Sequence, residues 1–387
     1  MEIGIVGKPN VGKSTFFNAV TAGTAQVANY PFTTIKSNVG MCFASAPCVC
    51  RELGVNDTPR NSRCMDGVRF IPCRIIDVAG LVPDAHKGRG LGNQFLSDIM
   101  QAEVLIHIVD ASGTTDAEGQ PTHGNDPEHD IAFLEHEIDM FFLEKIKEKW
   151  PKVSKLAHLE KKELAKILPE RFGAVREEDV LAALHKTSLN PEKTETWKED
   201  ELVLFCRTLR EITKPILLAA NKADIAPQEN IEALQKRATF ISSEAENALT
   251  KAAYAGLIKY IPGSPTFEVL GSLSGQQEKA LEKIRHHMEK FGGTGVQNVI
   301  NNAVFNLLSR IVVYPVENEN RYSDSGGNVL PDCYLMTQGQ TAHDLAYKIH
   351  TDLGEHFIHA INAKSKMRIK EDYVLKHNDV IKIVSAR

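Results

Sequence analysis

Residues 1–20 read MEIGIVGKPNVGKSTFFNAV. Met1–Val6 is a short apolar run suited to a buried strand, and Phe16, Phe17 and Val20 then follow at helical spacing. Between them, Gly7-Lys8-Pro9-Asn10-Val11-Gly12-Lys13-Ser14 fits G-x-x-x-x-G-K-[ST]. Gly7 and Gly12 let the backbone turn its N–H groups inward around phosphate oxygens. A helix starting near Lys13 presents its positive end to the same anion. Lys13 is placed to reach β- and γ-phosphates, and Ser14 to offer a hydroxyl to Mg²⁺. The expected nucleotide contacts on this loop are Gly7, Lys8, Pro9, Asn10, Val11, Gly12, Lys13, Ser14 and Thr15. A glycine-rich turn without a ligand would not need the strand before it and the helix after it.

Val68–Ile76 is a second apolar strand and runs into Asp77-Val78-Ala79-Gly80. An Asp at the carboxyl end of such a strand can hold Mg²⁺ through water, and Gly80 lets a backbone N–H approach a γ-phosphate. D-x-x-G alone marks only a strand-ending turn; downstream of residues 7–14 it gains meaning. Glu103–Asp110 and Pro215–Ala220 are further buried strands, the latter followed by Asn221-Lys222-Ala223-Asp224. This N-K-x-D reads guanine. Asp224 can accept from N1–H and the 2-amino group together, whereas adenine would leave the carboxylate unpaired. Asn221 would tie this loop to the phosphate loop, and the Lys222 stem would cover the base face. Ala238–Ser243 is a fifth strand candidate, with Ser242 and Ser243 at the place of a second base-contacting loop; a helix N-cap explains Ser243 equally well. Strands alternating with helices through about residue 260 imply a doubly wound, mostly parallel α/β sheet with ligands at the strands' carboxyl ends.

Composition is compatible with this. The chain has 387 residues, 42% apolar and 25% charged, with formal charge −5. Those values exclude collagen-like, wholly disordered and disulfide-scaffold classes and do not suggest a general nucleic-acid binder. No run of 18 apolar residues exists, so no membrane span is expected. The start of the chain reads as strand rather than signal peptide, and seven cysteines in a chain this large suit a reducing cytosol.

Asn29-Tyr30-Pro31-Phe32-Thr33-Thr34, Asp77-Val78-Ala79-Gly80-Leu81-Val82, Ala85-His86 and Gly88-Arg89-Gly90-Leu91-Gly92-Asn93 together resemble the Obg-type (TRAFAC class) translation-factor GTPases. The likeness covers nearly the whole chain. It is greatest for the YchF/Ola1-related branch, particularly its archaeal and fungal Ygr210-like members. That resemblance implies a Ras-like P-loop G domain over 1–308 with a helical insertion at about 128–214. It also implies a small α+β, β-grasp-like TGS domain over 309–387, and GTP hydrolysis linked to ribosomes, RNA and translation. It makes Thr34 the switch hydroxyl completing a Mg²⁺ shell of Ser14, Thr34 and Asp77, with Thr33 as the alternative. YchF and Ola1 proteins lose N-K-x-D and accept ATP; this chain keeps Asn221, Lys222 and Asp224, which points to GTP.

In the insertion, Ile131, Leu134, Ile138, Phe141, Phe142 and Ile146 repeat at helical spacing, as in an exposed helical hairpin packed on itself. Near the end of the chain, Lys364, Lys366, Arg368 and Lys370 alternate with Ser365, Met367 and Ile369. On a strand, the period of two puts all four cations on one face, able to track an RNA backbone or merely to be solvated. Cys48, Cys50, Cys64 and Cys73 crowd one stretch, but their spacing lacks the close C-x2-C pairs of zinc sites, so scattered half-buried thiols are expected.

The expected activity is hydrolysis of GTP to GDP and phosphate with Mg²⁺. The rivals are a nucleotide-gated RNA- or ribosome-binding module with incidental turnover, and an ATPase. Leu81 stands where other GTPases carry a water-orienting Gln, so basal turnover should be slow. Besides Lys13, two residues are candidates for the missing help. Asn10 could hold K⁺ beside the phosphates or only shape the loop, and His86, by the resemblance, could orient water or be a surface residue.

Overall fold

The computed structural model describes residues 1–22, 38–81, 98–159, 163–172 and 175–386. Thr33, Thr34 and His86 lie outside them, as do the other quoted motifs of 29–34 and 82–93.

In chain order, the first sheet region contains β1 (Glu2–Val6), α1 (Lys13–Thr21), β2 (Val39–Pro47), α2 (Val49–Leu53), β3 (Arg63–Met65), β4 (Val68–Asp77) and β5 (Val104–Asp110). Four helices follow: α3 (Pro127–Leu159), α4 (Leu164–Phe172), α5 (Glu177–Thr187) and α6 (Glu199–Thr213). The chain then returns to the sheet with β6 (Ile216–Asn221), α7 (Gln228–Leu234), β7 (Ala238–Phe240) and α8 (Ser243–Tyr254). Among the described residues seven strands form this sheet, in the order β2-β4-β1-β5-β6-β7, with β3 beside β4 in line with β1. β1, β4, β5, β6 and β7 are parallel, while β2 and β3 run antiparallel to β4.

The pleat explains the layers. Ile3 and Ile5 of β1 and Val104, Ile106 and Ile108 of β5 point to one face, where they pack on Val11 and on Phe16 of α1. Val6 and Leu105 point to the other, against Leu134, Ile138 and Phe141 of α3. β5 is buried at every position, as a strand covered on both faces must be. The helices between β5 and β6 hold their own core, with Phe142, Leu168, Leu184, Phe205 and Leu209. Within it Arg210 makes a buried pair with Asp139 (2.7 Å).

A short hairpin of β8 (Ile258–Lys259) and β9 (Glu268–Val269) precedes α9 (Gly275–Phe291) and α10 (Val296–Asn301). α10 runs into a π-helical turn, Asn302–Leu307. Beyond it lie β10 (Arg310–Pro315), β11 (Tyr334–Thr337), α11 (Ala342–Ile349), α12 (Thr351–Glu355), β12 (Phe357–Asn362), β13 (Met367–Ile369) and β14 (Asp379–Ser385). Those strands form a second sheet, ordered β11-β10-β14-β12-β13. Val313, Ala360 and Ile381 face Leu345 of α11. Val312, Tyr314 and Val380 face Ala46, Cys48, Val49 and Ile71 of the first sheet region, so the two sheets share a core. Arg69, fully buried, crosses that seam to donate to the Leu330 carbonyl (2.6 Å).

Two expectations need correction. The strand expected over 238–243 stops at Phe240, because Ser242 turns to cap α8, its Oγ accepting from the Ala245 N–H. The sheet is mostly parallel as expected, with β2 and β3 as an antiparallel margin. The four-cation strand face does not exist. Residues 363–366 form a turn with Lys366 at φ 61°, and β13 spans only Met367–Ile369. Lys364 instead pairs with Glu52 of α2 (2.7 Å), and the Lys366 ammonium lies 4.6 Å from the centre of the Tyr322 ring.

Candidate nucleotide site

The carboxyl ends of β1, β4, β5 and β6 bring the separated motifs together. The 7–14 loop follows β1 and turns as its glycines allow. Gly12 sits at φ 98°, and a Cβ there would collide with the Asn221 amide. The Asn221 side chain itself donates to the Val11 carbonyl (2.9 Å) and accepts from the Ser243 N–H (3.1 Å). One buried amide thereby joins the phosphate loop, the N-K-x-D loop and the start of α8.

Lys13 opens α1 and is almost buried; its ammonium donates to the Lys8 carbonyl (2.7 Å). Burial pushes its pKa down to about 8, with the Asp77 carboxylate pulling the other way. Ser14 donates from Oγ to Asp77 Oδ2 (3.2 Å). Burial raises the Asp77 pKa, while Lys13 and the Ser14 hydroxyl oppose the shift. Its Oδ1 is buried with no hydrogen-bond partner among the described residues. A hydroxyl beside a carboxylate with a spare buried oxygen suits a hard, oxygen-seeking cation. Gly80 closes over the loop, its Cβ position 3.1 Å from the Lys13 ammonium. Leu81 is packed into the core beside Val78 and Ile99, so no polar group reaches the site from position 81.

The side chains of the loop differ in what they can offer. Lys8 is turned away, buried in an ion pair with Asp130 (2.5 Å) and donating to the Thr115 carbonyl (2.7 Å), so only its backbone faces inward. Asn10, at φ 63°, donates its amide to the Gly119 carbonyl (2.9 Å); the oxygen a cation would need is on the other branch of that amide. Lys222 reaches Asp110 (2.8 Å), which stretches its stem beside the loop. Asp224 is exposed. The Ser243 hydroxyl is buried with no partner among the described residues.

Several residues of this region carry no motif. Asp110, fully buried, gathers Ser112 (2.5 Å), Thr115 (2.8 Å) and Lys222, and these bonds depress its pKa despite burial. The only sequence sign of it is an Asp ending a buried strand, as Asp77 does. The 114–122 loop covers the phosphate loop, with Gly119 so close to Pro9 that a Cβ would sit 2.6 Å from its carbonyl oxygen. His287 of α9 is buried, neither ring nitrogen has a partner among the described residues, and the Asp224 charge acts on it.

Comparison with known proteins names this arrangement. The model of the Obg-like GTPase YGR210-like, G4 motif-containing domain matches residues 219–318, which hold Asn221 and Asp224. An uncharacterised GTP-binding protein of Methanocaldococcus jannaschii is 50% identical, with 99% of each chain covered. The chain belongs to the YGR210-like family of Obg-like GTPases. It is a P-loop GTP-binding protein. The model of the 50S ribosome-binding GTPase matches residues 2–145 of this Obg-like chain, and the TGS domain model matches 327–385. The crystal structure of a GTP-binding protein from Pyrococcus horikoshii superimposes with TM-score 0.80 at 42% identity over the full length of both chains. The ribosome-binding ATPase YchF of Bacillus subtilis is 32% identical over 63% of this chain and 64% of that protein. The Obg-like fold is therefore an α/β P-loop G domain with a helical region and a C-terminal TGS sheet domain.

The cysteine expectation fails in this Obg-like protein. Cys48, Cys50 and Cys64 are not scattered; with Asp57 they form one cluster. Cys73 stands apart, opposite Cys42 in the core of the first sheet. Thiol spacing alone hid the cluster because β3 and the 48–50 corner meet through the sheet and the fourth group is a carboxylate.

Proposed function

We propose that this protein hydrolyses GTP to GDP and phosphate with Mg²⁺, as a switch acting on ribosomes or RNA. In this reading residues 1–308 are the catalytic G domain and 309–387 the TGS domain. The observation that carries it is Asn221: the same amide touches the phosphate loop and holds the loop bearing Asp224, which stays exposed for the base. Asp224 accepts from guanine N1–H and its 2-amino group, and Lys222 lies along the base face.

The backbone N–H groups of residues 7–15, Pro9 having none, and the Lys13 ammonium hold the β- and γ-phosphates, Lys13 exchanging its bond to the Lys8 carbonyl for phosphate oxygens. Ser14, Asp77 and Thr34 are the residues that would hold Mg²⁺, which would supply charge neutralisation at the phosphates when bound. Water attacks the γ-phosphorus in line; the bond to the β-bridging oxygen breaks, and the negative charge building on that oxygen is met by Lys13 and the loop amides. With Leu81 buried, basal turnover is slow, and the remaining stabilisation falls to His86 orienting water or to Asn10, which would hold a K⁺ ion supplying positive charge beside the phosphates. The ribosome enters by likeness to YchF, whose ATP use this chain does not share if its N-K-x-D reads the base.

Equilibrium binding of GTP, GDP, ATP and ADP, with turnover measured with and without ribosomes, tests this. Guanine nucleotides should bind at least about tenfold tighter, since each base-specific contact contributes roughly 1–3 kcal/mol, and Asp224→Asn should erase most of that preference. Equal affinity for ATP and GTP in the parent protein would sink the base assignment. Turnover unaffected by ribosomes would leave the binding-module reading in possession.

A further inference from the structure

The strongest feature outside the nucleotide site is the cluster at the seam between the sheets. Cys48 follows β2 directly at the N-cap of α2, Cys50 lies in α2, Asp57 is in the following loop and Cys64 is on β3. One ligand atom from each lies within 4.8 Å of all the others. The Cys50 and Cys64 sulfurs are 3.9 Å apart. Tetrahedral zinc with Zn–S of about 2.3 Å requires sulfurs about 3.8 Å apart, whereas a disulfide requires about 2.05 Å.

We propose that Cys48, Cys50, Cys64 and Asp57 form a structural zinc site that fastens α2 and β3 against the TGS sheet. Three sulfurs and one oxygen suit a borderline-soft ion that favours four-coordinate sites. Three thiolates and a carboxylate exceed the charge of a divalent ion by two. Arg69, buried and 2.7 Å from Asp57, offsets one of these and orients the carboxylate. Cys48 and Cys50 are buried while Asp57 and Cys64 are partly open, so an ion can enter from one side. Without the ion, burial raises the Cys48 thiol to about 12 and raises Cys64 as well, so loading releases protons. The position is structural. Tyr314 of β10 points its hydroxyl at Cys48 Sγ (3.9 Å), and Cys48, Cys50, Tyr314 and Val380 belong to one core.

The test uses the full chain, purified under reducing conditions and analysed for metal. One zinc per chain is expected. It should survive in Cys73→Ser and be lost in Cys50→Ser/Cys64→Ser, whose affinity should fall at least about 100-fold, beyond the loss seen on removing a supporting partner. Because the double variant can misfold, the unmutated chain is also stripped with chelator and titrated with Co²⁺. Thiolate-to-cobalt charge transfer and the intense visible bands of tetrahedral cobalt should appear, saturate at one equivalent and vanish on adding zinc. The proposal is overturned if the unmutated chain holds no stoichiometric zinc and gives no thiolate–cobalt absorption. It is overturned equally if thiol trapping shows Cys50 and Cys64 joined as a disulfide in chain kept under reducing conditions.

Discussion

Replacing Asn221 by Ala should damage the fold and the site together, and the structure sets the size of the effect. The amide is 3% exposed and makes two bonds, donating to the Val11 carbonyl and accepting from the Ser243 N–H. Ala removes both partners and leaves two backbone groups in a site that water does not readily reach. Each such orphan costs about 1–3 kcal/mol, so the loss is about 2–6 kcal/mol before any cavity term. For a domain of this size that is on the order of 3–9 °C in the midpoint of the G-domain unfolding transition. Asn221→Asp is the informative comparison. It keeps an acceptor for Ser243 but sets a carboxylate oxygen against the Val11 carbonyl, so it should be no better than Ala. Thermal unfolding of the nucleotide-free chain reads the stability, and titration with a fluorescent GDP reads the coupling of the loops. A change below about 0.5 kcal/mol in the nucleotide-free protein, the range of ordinary surface substitutions, would refute the bridging role.

Nucleotide affinity should depend on alkaline pH through Lys13. Burial holds its pKa near 8 in the free protein, and phosphate charge beside the ammonium must raise it, so binding takes up a proton above pH 8. Affinity therefore falls as pH rises, by about fivefold between pH 7.5 and 8.8 if the bound value returns near the ordinary one. Lys13→Met should bind more weakly with a flatter profile, and guanine's own N1 ionisation affects both proteins alike; a flat parent profile excludes the shift. In the helical region, Arg210→Met should cost about 1.5–3 kcal/mol, the worth of a hydrogen bond to a charged group, since Arg207 stays 3.6 Å from Asp139, while the Arg210→Met/Asp139→Leu pair should recover much of it. Denaturant titration distinguishes this from a pair that water already solvates, for which the single change would cost under about 1 kcal/mol.

What could be read from the sequence follows how far apart the interacting residues lie along it. Residues 7–14 were legible because a loop, its glycines and its lysine act within one turn of chain. β1, β4, β5 and β6 were legible as runs rich in apolar residues, even with Arg69 and Arg74 inside β4 and His107 inside β5. β2 was not: Val39–Pro47 mixes Gly, Ala, Ser and Pro with its apolar residues, and its strand character comes from pairing with β4 along its whole length. The basic alternation at 364–370 misled because a period of two means one face only in extended chain, and Lys366 at φ 61° reverses direction. In the site, Asn221 and Asp224 stood out as a motif. Their supports did not, since Lys222 meets Asp110 from 112 positions away and Lys8 meets Thr115 from 107. The cysteine cluster combines both difficulties, a carboxylate among thiols and contacts made through a sheet. Motifs therefore mark where a ligand is held, whereas the residues that hold the motifs in place are found only once the sheet has brought distant strand ends together.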